Sequence, residues 1–295
     1  MLWCNCKKFL AKYKGQLNGK KVVLFGSTGG IGKELSRYIL ELGGILITVD
    51  RNSRKVEELR QVLLQQFPQA EMYHKIADLE QLETVKQVCD ELESMGVDVL
   101  IHNAGAYSIP RKICSTGYDN AFLINFISPY YITNRLMAHL EARKGRVVVV
   151  GSVAHNYSKT DQKDVDFSGR MKASLVYGNA KRYLMFAMLE LMKEHPNVTL
   201  SVTHPGVAFT NITNHYPKLI FAIIKHPMKV IFMPPRMAAL SIVQGIFDET
   251  DCYEWIGPSI FNVWGKPSKK TLHTCKKEEI ATIYENAKRI YLESR

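Results

Sequence analysis

Short apolar runs of strand length alternate along this chain with longer stretches of helical period. The runs are KVVLF at 21–25, ILITV at 45–49, a weaker EMYHKI at 71–76, VDVLI at 97–101, RVVVVG at 146–151 and VTLSVTH at 198–204. Between them, apolar positions recur at helical spacing from Ile31 to Leu42, Val56 to Phe67, Leu82 to Met95 and Tyr118 to Leu140. Strands that are apolar throughout, rather than alternating, belong to a sheet buried on both faces, and strand–helix alternation makes that sheet parallel. The expectation is an α/β fold: a doubly wound parallel sheet in one domain over 19–295, behind a basic leader at 1–18. The alternation breaks between Val207 and about Pro235, which reads as a cap inserted over one end of the sheet. EWIGPSIFNVWGKP, near the C-terminus, reads as the last strand.

The first run leads directly into Gly26-Ser-Thr-Gly-Gly30-Ile-Gly32 and then a helix. In a strand–loop–helix of this kind Gly26 permits the tight turn and Gly30 lets backbone approach a pyrophosphate. Gly32 allows the helix to pack close to the strand. Free N–H groups and the positive end of the helix dipole then face the phosphates. A P-loop is excluded, because the Gly-Lys-Ser/Thr ending is missing. Asp50 closes the second strand, where a carboxylate can accept both ribose hydroxyls of NAD; Arg51 and Arg54 follow, and either could pair with the 2′-phosphate of NADP. The absence of a basic residue inside the loop favours NAD, and NADP stays open.

Composition changes this picture little. The net charge of +11 suits a polyanionic cofactor as well as nucleic acid or anionic lipid, but no nucleic-acid motif accompanies it. Cys4, Cys6, Cys89, Cys114, Cys252 and Cys275 show neither a disulfide framework nor zinc spacing, so no metal is expected and the thiols read as those of a cytoplasmic protein. No run reaches the length of a membrane span, which leaves peripheral contact as the closest approach to a bilayer.

Tyr177 and Lys181 stand four residues apart in LVYGNAKRYLMFAMLELM and share one helix face. A neighbouring ammonium should lower the tyrosine pKa toward neutrality, as a general acid/base requires. The preceding strand ends at Ser152, on the carboxyl edge of a parallel sheet, where ligands bind.

With these residues in view, the chain resembles the short-chain dehydrogenase/reductase family, close to its retinol dehydrogenase-like and hydroxysteroid dehydrogenase-like branch. The glycine loop appears as Phe25-Gly26-Ser27-Thr28-Gly29-Gly30-Ile31-Gly32, with Phe25 in place of the family's Thr. The Asn-Asn-Ala-Gly run appears as His102-Asn103-Ala104-Gly105, with His102 for the first Asn. Asn125, Ser152, Tyr177 and Lys181 fill the catalytic tetrad in order; the 25 residues between Ser152 and Tyr177, and the sequence SVAH, point to the retinol dehydrogenase-like branch. The resemblance implies a Rossmann fold and hydride transfer between NAD(P) and an alcohol or ketone. Tyr177 would act as acid/base, Lys181 would tune it and hold the nicotinamide ribose, Ser152 would position the substrate oxygen, and Asn125 would hold a water. It further implies cofactor contacts at Gly26, Ser27, Thr28, Gly30, Ile31, Gly32, Asp50 and Arg51, at Asp78 and Leu79 beside the adenine, and at Asn103, Ala104 and Gly105. Pro205, Gly206, Val207 and Thr210 complete the set near the nicotinamide, and a homodimer or homotetramer is common in the family.

The cap sequence YPKLIFAIIKHPMKVIFMPP is rich in Ile, Phe and Met, which favours a lipophilic substrate such as a steroid, retinoid or fatty compound. The same residues would equally serve as core or a dimer contact, and with Lys218, Lys225 and Lys229 they suit shallow membrane attachment. Two other readings remain: a nucleotide-binding regulatory or scaffold protein without turnover, and a sugar-nucleotide epimerase. The roughly 115 residues after Tyr177 are too few for the larger substrate domain of the latter.

Overall fold

The computed structural model describes residues 5–157, 159–207, 233–251, 253–272 and 275–295. Eight strands form one sheet in the order β3-β2-β1-β4-β5-β6-β7-β8. They are β1 (Lys21–Phe25), β2 (Ile45–Asp50), β3 (Met72–Ile76), β4 (Val99–His102), β5 (Arg146–Val150), β6 (Thr199–Thr203), β7 (Glu254–Ile260) and β8 (Trp264–Thr271). All pairings are parallel except β7–β8. β1 pairs with both β2 and β4, so the strand order reverses there, and a crevice opens at the carboxyl ends of β1 and β4.

Helices pack on both faces because the central strands bury every side chain but the first or second: β1, β4 and β5 contain no exposed residue. One core gathers Val23, Phe25, Leu100, Val147 and Val149 against the helices Leu82–Met95, Ser128–Arg135, Ala173–Glu194 and Lys277–Ser294. The opposite core places Val22, Leu24, Ile101 and Val148 under the helices Gly30–Glu41 and Pro235–Phe247.

Two departures from the sequence pattern have local causes. EWIGPSIFNVWGKP is a hairpin rather than one strand. Phe261 and Asn262 adopt left-handed φ values of 49° and 58° and turn β7 back into antiparallel β8. Asn suits that conformation, but Phe gives no warning of it. The helical run from Asn120 is interrupted by a π turn, Leu123–Ile127, whose following Ser128 N–H reaches Leu123 O. Its cause is the Asn125 side-chain amide, which donates to Ala121 O at 2.7 Å and so occupies the carbonyl an α-helical N–H would use. The cap expected at 207–235, apart from its ends, falls outside the described residues, as do Cys4, Cys252 and Thr210. No helix among the described residues is long and apolar enough to cross a membrane.

Candidate active site

The crevice between β1 and β4 is floored by the glycine loop. Gly26 has φ +84°, and a Cβ on Gly32 would lie 2.0 Å from Gly26 O, so the helix Gly30–Glu41 can start against the turn only without a side chain there. Gly29 caps this helix with no side-chain hydrogen bond to its first N–H groups, leaving them for an anion. Asn103 Nδ2 donates to Gly26 O at 2.8 Å and ties the β4 loop to the β1 loop. Beside Ala104, Gly105 leaves a gap in front of Asn125 and Lys181: a Cβ there would stand 2.9 Å from Asn125 Oδ1 and 3.4 Å from Lys181 Nζ. An open helix N-terminus and a side-chain-free cradle suit the pyrophosphate and nicotinamide ends of a dinucleotide.

Asp50 is bonded to the glycine loop. Oδ2 accepts from Ser27 N and Oγ, at 3.2 and 2.6 Å, and Oδ1 accepts from Thr28 N and Oγ1, at 3.1 and 2.9 Å. A carboxylate offers about four acceptor sites, and the loop takes all of them from a residue that is 6% exposed. The residue expected as ribose acceptor thus braces the glycine loop from within. Arg51, next to it, is exposed and has no ion-pair partner among the described residues. Arg54, the other candidate, is paired with Glu58 at 3.0 Å.

The remaining expected cofactor residues line the same edge. Asp78 Oδ1 accepts from Glu80 N, and Leu79 O accepts from Ser128 Oγ, which fixes the turn after β3. His102, in place of an Asn, is buried with Nε2 2.8 Å from Thr133 Oγ1. The Thr133 hydroxyl donates to Pro129 O, so the imidazole donates to Thr133, and burial holds it neutral with its pKa down at about 3. Beyond β6, Gly206 turns at φ +78° and Val207 O accepts from Met233 N, which places Pro205 at the mouth. His204 stacks on Trp255 at 4.9 Å and contacts Asn262 O, a structural arrangement. No group of side chains able to hold a metal occurs among the described residues.

Asn125, Ser152, Tyr177 and Lys181 come together at the carboxyl ends of β4 and β5. Asn125 is fully buried and grips Ala106 from both sides, donating to its carbonyl at 2.8 Å and accepting from its N–H at 3.2 Å. Ser152 begins the 3-10 turn Val153–Asn156, and its Oγ accepts from Ala154 N at 3.2 Å. Lys181 Nζ donates to Val150 O at 2.9 Å, below the Tyr177 ring, whose centroid is 5.8 Å away. Burial dominates the electrostatics: it pushes the Tyr177 phenol up to about 12, against a hydrogen bond from Ser152, and brings Lys181 down to about 8. The expectation that Lys181 lowers the tyrosine in the protein alone is thus corrected. The ammonium faces a carbonyl and the ring, and burial is the largest influence on the phenol.

Sequence reasoning missed three neighbours. Tyr107 stands edge-on to Tyr177, with ring centroids 5.2 Å apart. Arg182 and Glu279, 97 positions apart, meet beneath the site. Only Arg182, a charge inside an apolar helical face, could have drawn notice.

Known proteins resemble this chain over most of its length. The family profile of short chain dehydrogenases matches residues 20–218. Retinol dehydrogenase 14 of Mus musculus is 28% identical over 283 residues, covering 90% of this chain and 81% of that protein. A chloroplastic short-chain dehydrogenase of Brassica napus is 26% identical over 259 residues, 83% of this chain and 78% of its own length. Among solved structures, an uncharacterized protein of Mycobacterium paratuberculosis superposes with a TM-score of 0.77 at 20% identity, over 96% of this chain and 97% of the other.

Proposed function

The chain belongs to the short-chain dehydrogenase/reductase family, an NAD(P)-dependent oxidoreductase by that membership, and from this premise we propose that it transfers a hydride between NADP(H) and the alcohol or carbonyl carbon of a lipophilic compound, with Tyr177 as general acid/base. The observation that carries the reading is the convergence of Ser152, Tyr177 and Lys181 in front of the Gly105 cradle. The nicotinamide, when bound, supplies or accepts the hydride.

The rest of the chemistry falls to side chains. In the reducing direction, Tyr177 donates its phenolic proton to the oxygen as negative charge develops on it, and the Ser152 hydroxyl gives that oxygen a second hydrogen bond. The phenolate left behind shares a buried setting with the Lys181 ammonium, 5.8 Å from its ring centroid, where attraction between opposite charges is much stronger than in water. Oxidation runs the same proton path backwards. Asn125, locked to Ala106, holds the loop beside Gly105 at a fixed distance from Lys181.

The choice of NADP(H) is supported by the Asp50 geometry. With both carboxylate oxygens engaged by Ser27 and Thr28, the carboxylate is not free to take ribose hydroxyls, and exposed Arg51 can meet a 2′-phosphate with its planar fork. A lipophilic substrate is supported by the Tyr107 ring beside Tyr177, by Tyr157 nearby, and by the Ile-, Phe- and Met-rich sequence between Val207 and Pro235. It agrees with the name of the retinol dehydrogenase relative. The test is Tyr177→Phe assayed with NADPH and a panel of lipophilic aldehydes. Turnover is expected to fall by about 10³-fold or more, with NADPH affinity nearly unchanged; a variant as active as the parent removes Tyr177 from this role.

A further inference from the structure

Beneath the tetrad, a buried guanidinium joins four segments of the chain. Arg182 follows Lys181 on the helix Ala173–Glu194, and its side chain is 3% exposed. Nε and Nη2 donate to the two oxygens of Glu279, at 2.8 and 2.7 Å, in a bidentate pair with the first turn of the C-terminal helix Lys277–Ser294. Nη1 donates to His155 O at 2.9 Å, in the turn that Ser152 opens. Glu279 also accepts from Thr160 N and Oγ1, at 2.8 and 2.9 Å, which holds the segment between Ser152 and Tyr177. His155 in turn bonds back through Nδ1 and N–H to Ser152 O, so the guanidinium is two links from the serine. Tyr177 is followed by Gly178, where a Cβ would lie 2.3 Å from Ala154 O; helix and turn are thus in direct contact.

We propose that Arg182 and Glu279 are a positioning pair for the reaction, holding the Ser152 turn in register with the Tyr177–Lys181 face through the His155 carbonyl. The proposal rests on the dehydrogenase reading. A buried ion pair is a poor means of stabilising a fold, since well-packed apolar residues usually serve at least as well. What apolar residues cannot do is donate to a carbonyl in the active-site turn while fixed at two other points. The fork of arginine does this, and the point charge of lysine does not. The C-terminal helix thereby becomes part of the catalytic geometry without touching substrate, and two oxygens that must act on one atom are fixed relative to each other.

The test separates this role from plain stabilisation. Three variants are compared with the parent for thermal unfolding, for NADPH affinity and for turnover of decanal and all-trans-retinal: Glu279→Gln, Arg182→Lys and the double replacement Arg182→Met/Glu279→Met. The double variant removes both charges together and is expected to stay folded, with an unfolding temperature lowered by the lost bonds to His155 O and Thr160. It should nevertheless lose about tenfold or more in kcat, with the KM for NADPH within about twofold. Arg182→Lys should show the same split. Parent-like kcat in the folded double variant overturns the proposal, because only packing and charge balance would then matter. A crystal structure of the double variant gives a reading that does not depend on turnover. Displacement of Ser152 Oγ relative to the Tyr177 hydroxyl supports the pair as a positioning device, and an unmoved Ser152 refutes it. Should the parent bind NADPH yet reduce neither aldehyde, the substrate reading fails while this structural comparison still decides the proposal.

Discussion

Replacement of Lys181 by Met should alter the pH dependence of stability in a way that can be worked out beforehand. Burial brings Lys181 from its ordinary 10.5 down to about 8, whereas in the unfolded chain it titrates near ~10.4. A lysine lowered in this way destabilises the fold while it is charged. The penalty is full below about 8 and fades between about 8 and 10.5, where the unfolded chain binds more protons than the folded one. The gap between the two values corresponds to about 3 kcal/mol, of which about 2.5 kcal/mol is recovered between roughly pH 7 and roughly pH 10. Lys181→Met lacks this contribution. Its loss of the hydrogen bond to Val150 O is an offset of about 1–3 kcal/mol at every pH and does not enter the slope. Urea unfolding of both proteins at the two pH values gives the double difference, since titrating groups remote from Lys181 cancel. The parent should gain about 2–3 kcal/mol more than the variant on going to the higher pH. A difference flat to about 0.5 kcal/mol would refute the reasoning and mean that solvent reaches the ammonium. The same titration predicts that carbonyl reduction declines as pH rises through about 8, because the phenolate then loses its cation.

Three further outcomes are expected. Arg51→Ala should weaken NADPH about 10- to 100-fold while leaving NADH within about twofold, as judged by nicotinamide fluorescence; equal losses for both would remove Arg51 from the 2′-phosphate. Gly32→Ala should abolish binding of either nucleotide, or folding itself, because its Cβ would stand 2.0 Å from Gly26 O; intact binding by calorimetry would contradict the described loop. Ser152→Ala should lower kcat about 10²-fold with little effect on nucleotide affinity, and a change confined to affinity would assign Ser152 to the cofactor.

The parallel sheet and its glycine loop were legible because their signals are local. KVVLF and RVVVV are apolar after their first residue, as doubly covered strands must be, and Gly32 meets the backbone of Gly26 and Ser27, a few residues before it. Tyr177 and Lys181 were legible because helix spacing alone puts them on one face. What the sequence concealed depends on atoms that meet across the fold. The position of Asp50 suggested a ribose ligand, but the orientation of the Ser27 and Thr28 hydroxyls decides its partners. The π turn follows from the bond between Asn125 and Ala121, which competes with the helix ladder and leaves apolar spacing almost unchanged. The bend at Phe261 runs against residue preference. The pKa of Tyr177 was misjudged because spacing gives the nearness of a cation and not the depth of burial.

Reversal of the chain at Phe261–Asn262 has an effect beyond completing the sheet. By folding β8 back antiparallel, it makes the terminal strand among the described residues one that carries exposed Lys266 and Lys269 and the donor-free Pro267. A second copy approaching strand to strand would meet like charge and a missing N–H in the ladder it tried to extend. Behind it stand β1, β2, β4 and β5, rich in Val, Ile and Leu, the composition from which fibrils grow, and on this side the turn leaves incoming chains a margin that they cannot readily copy.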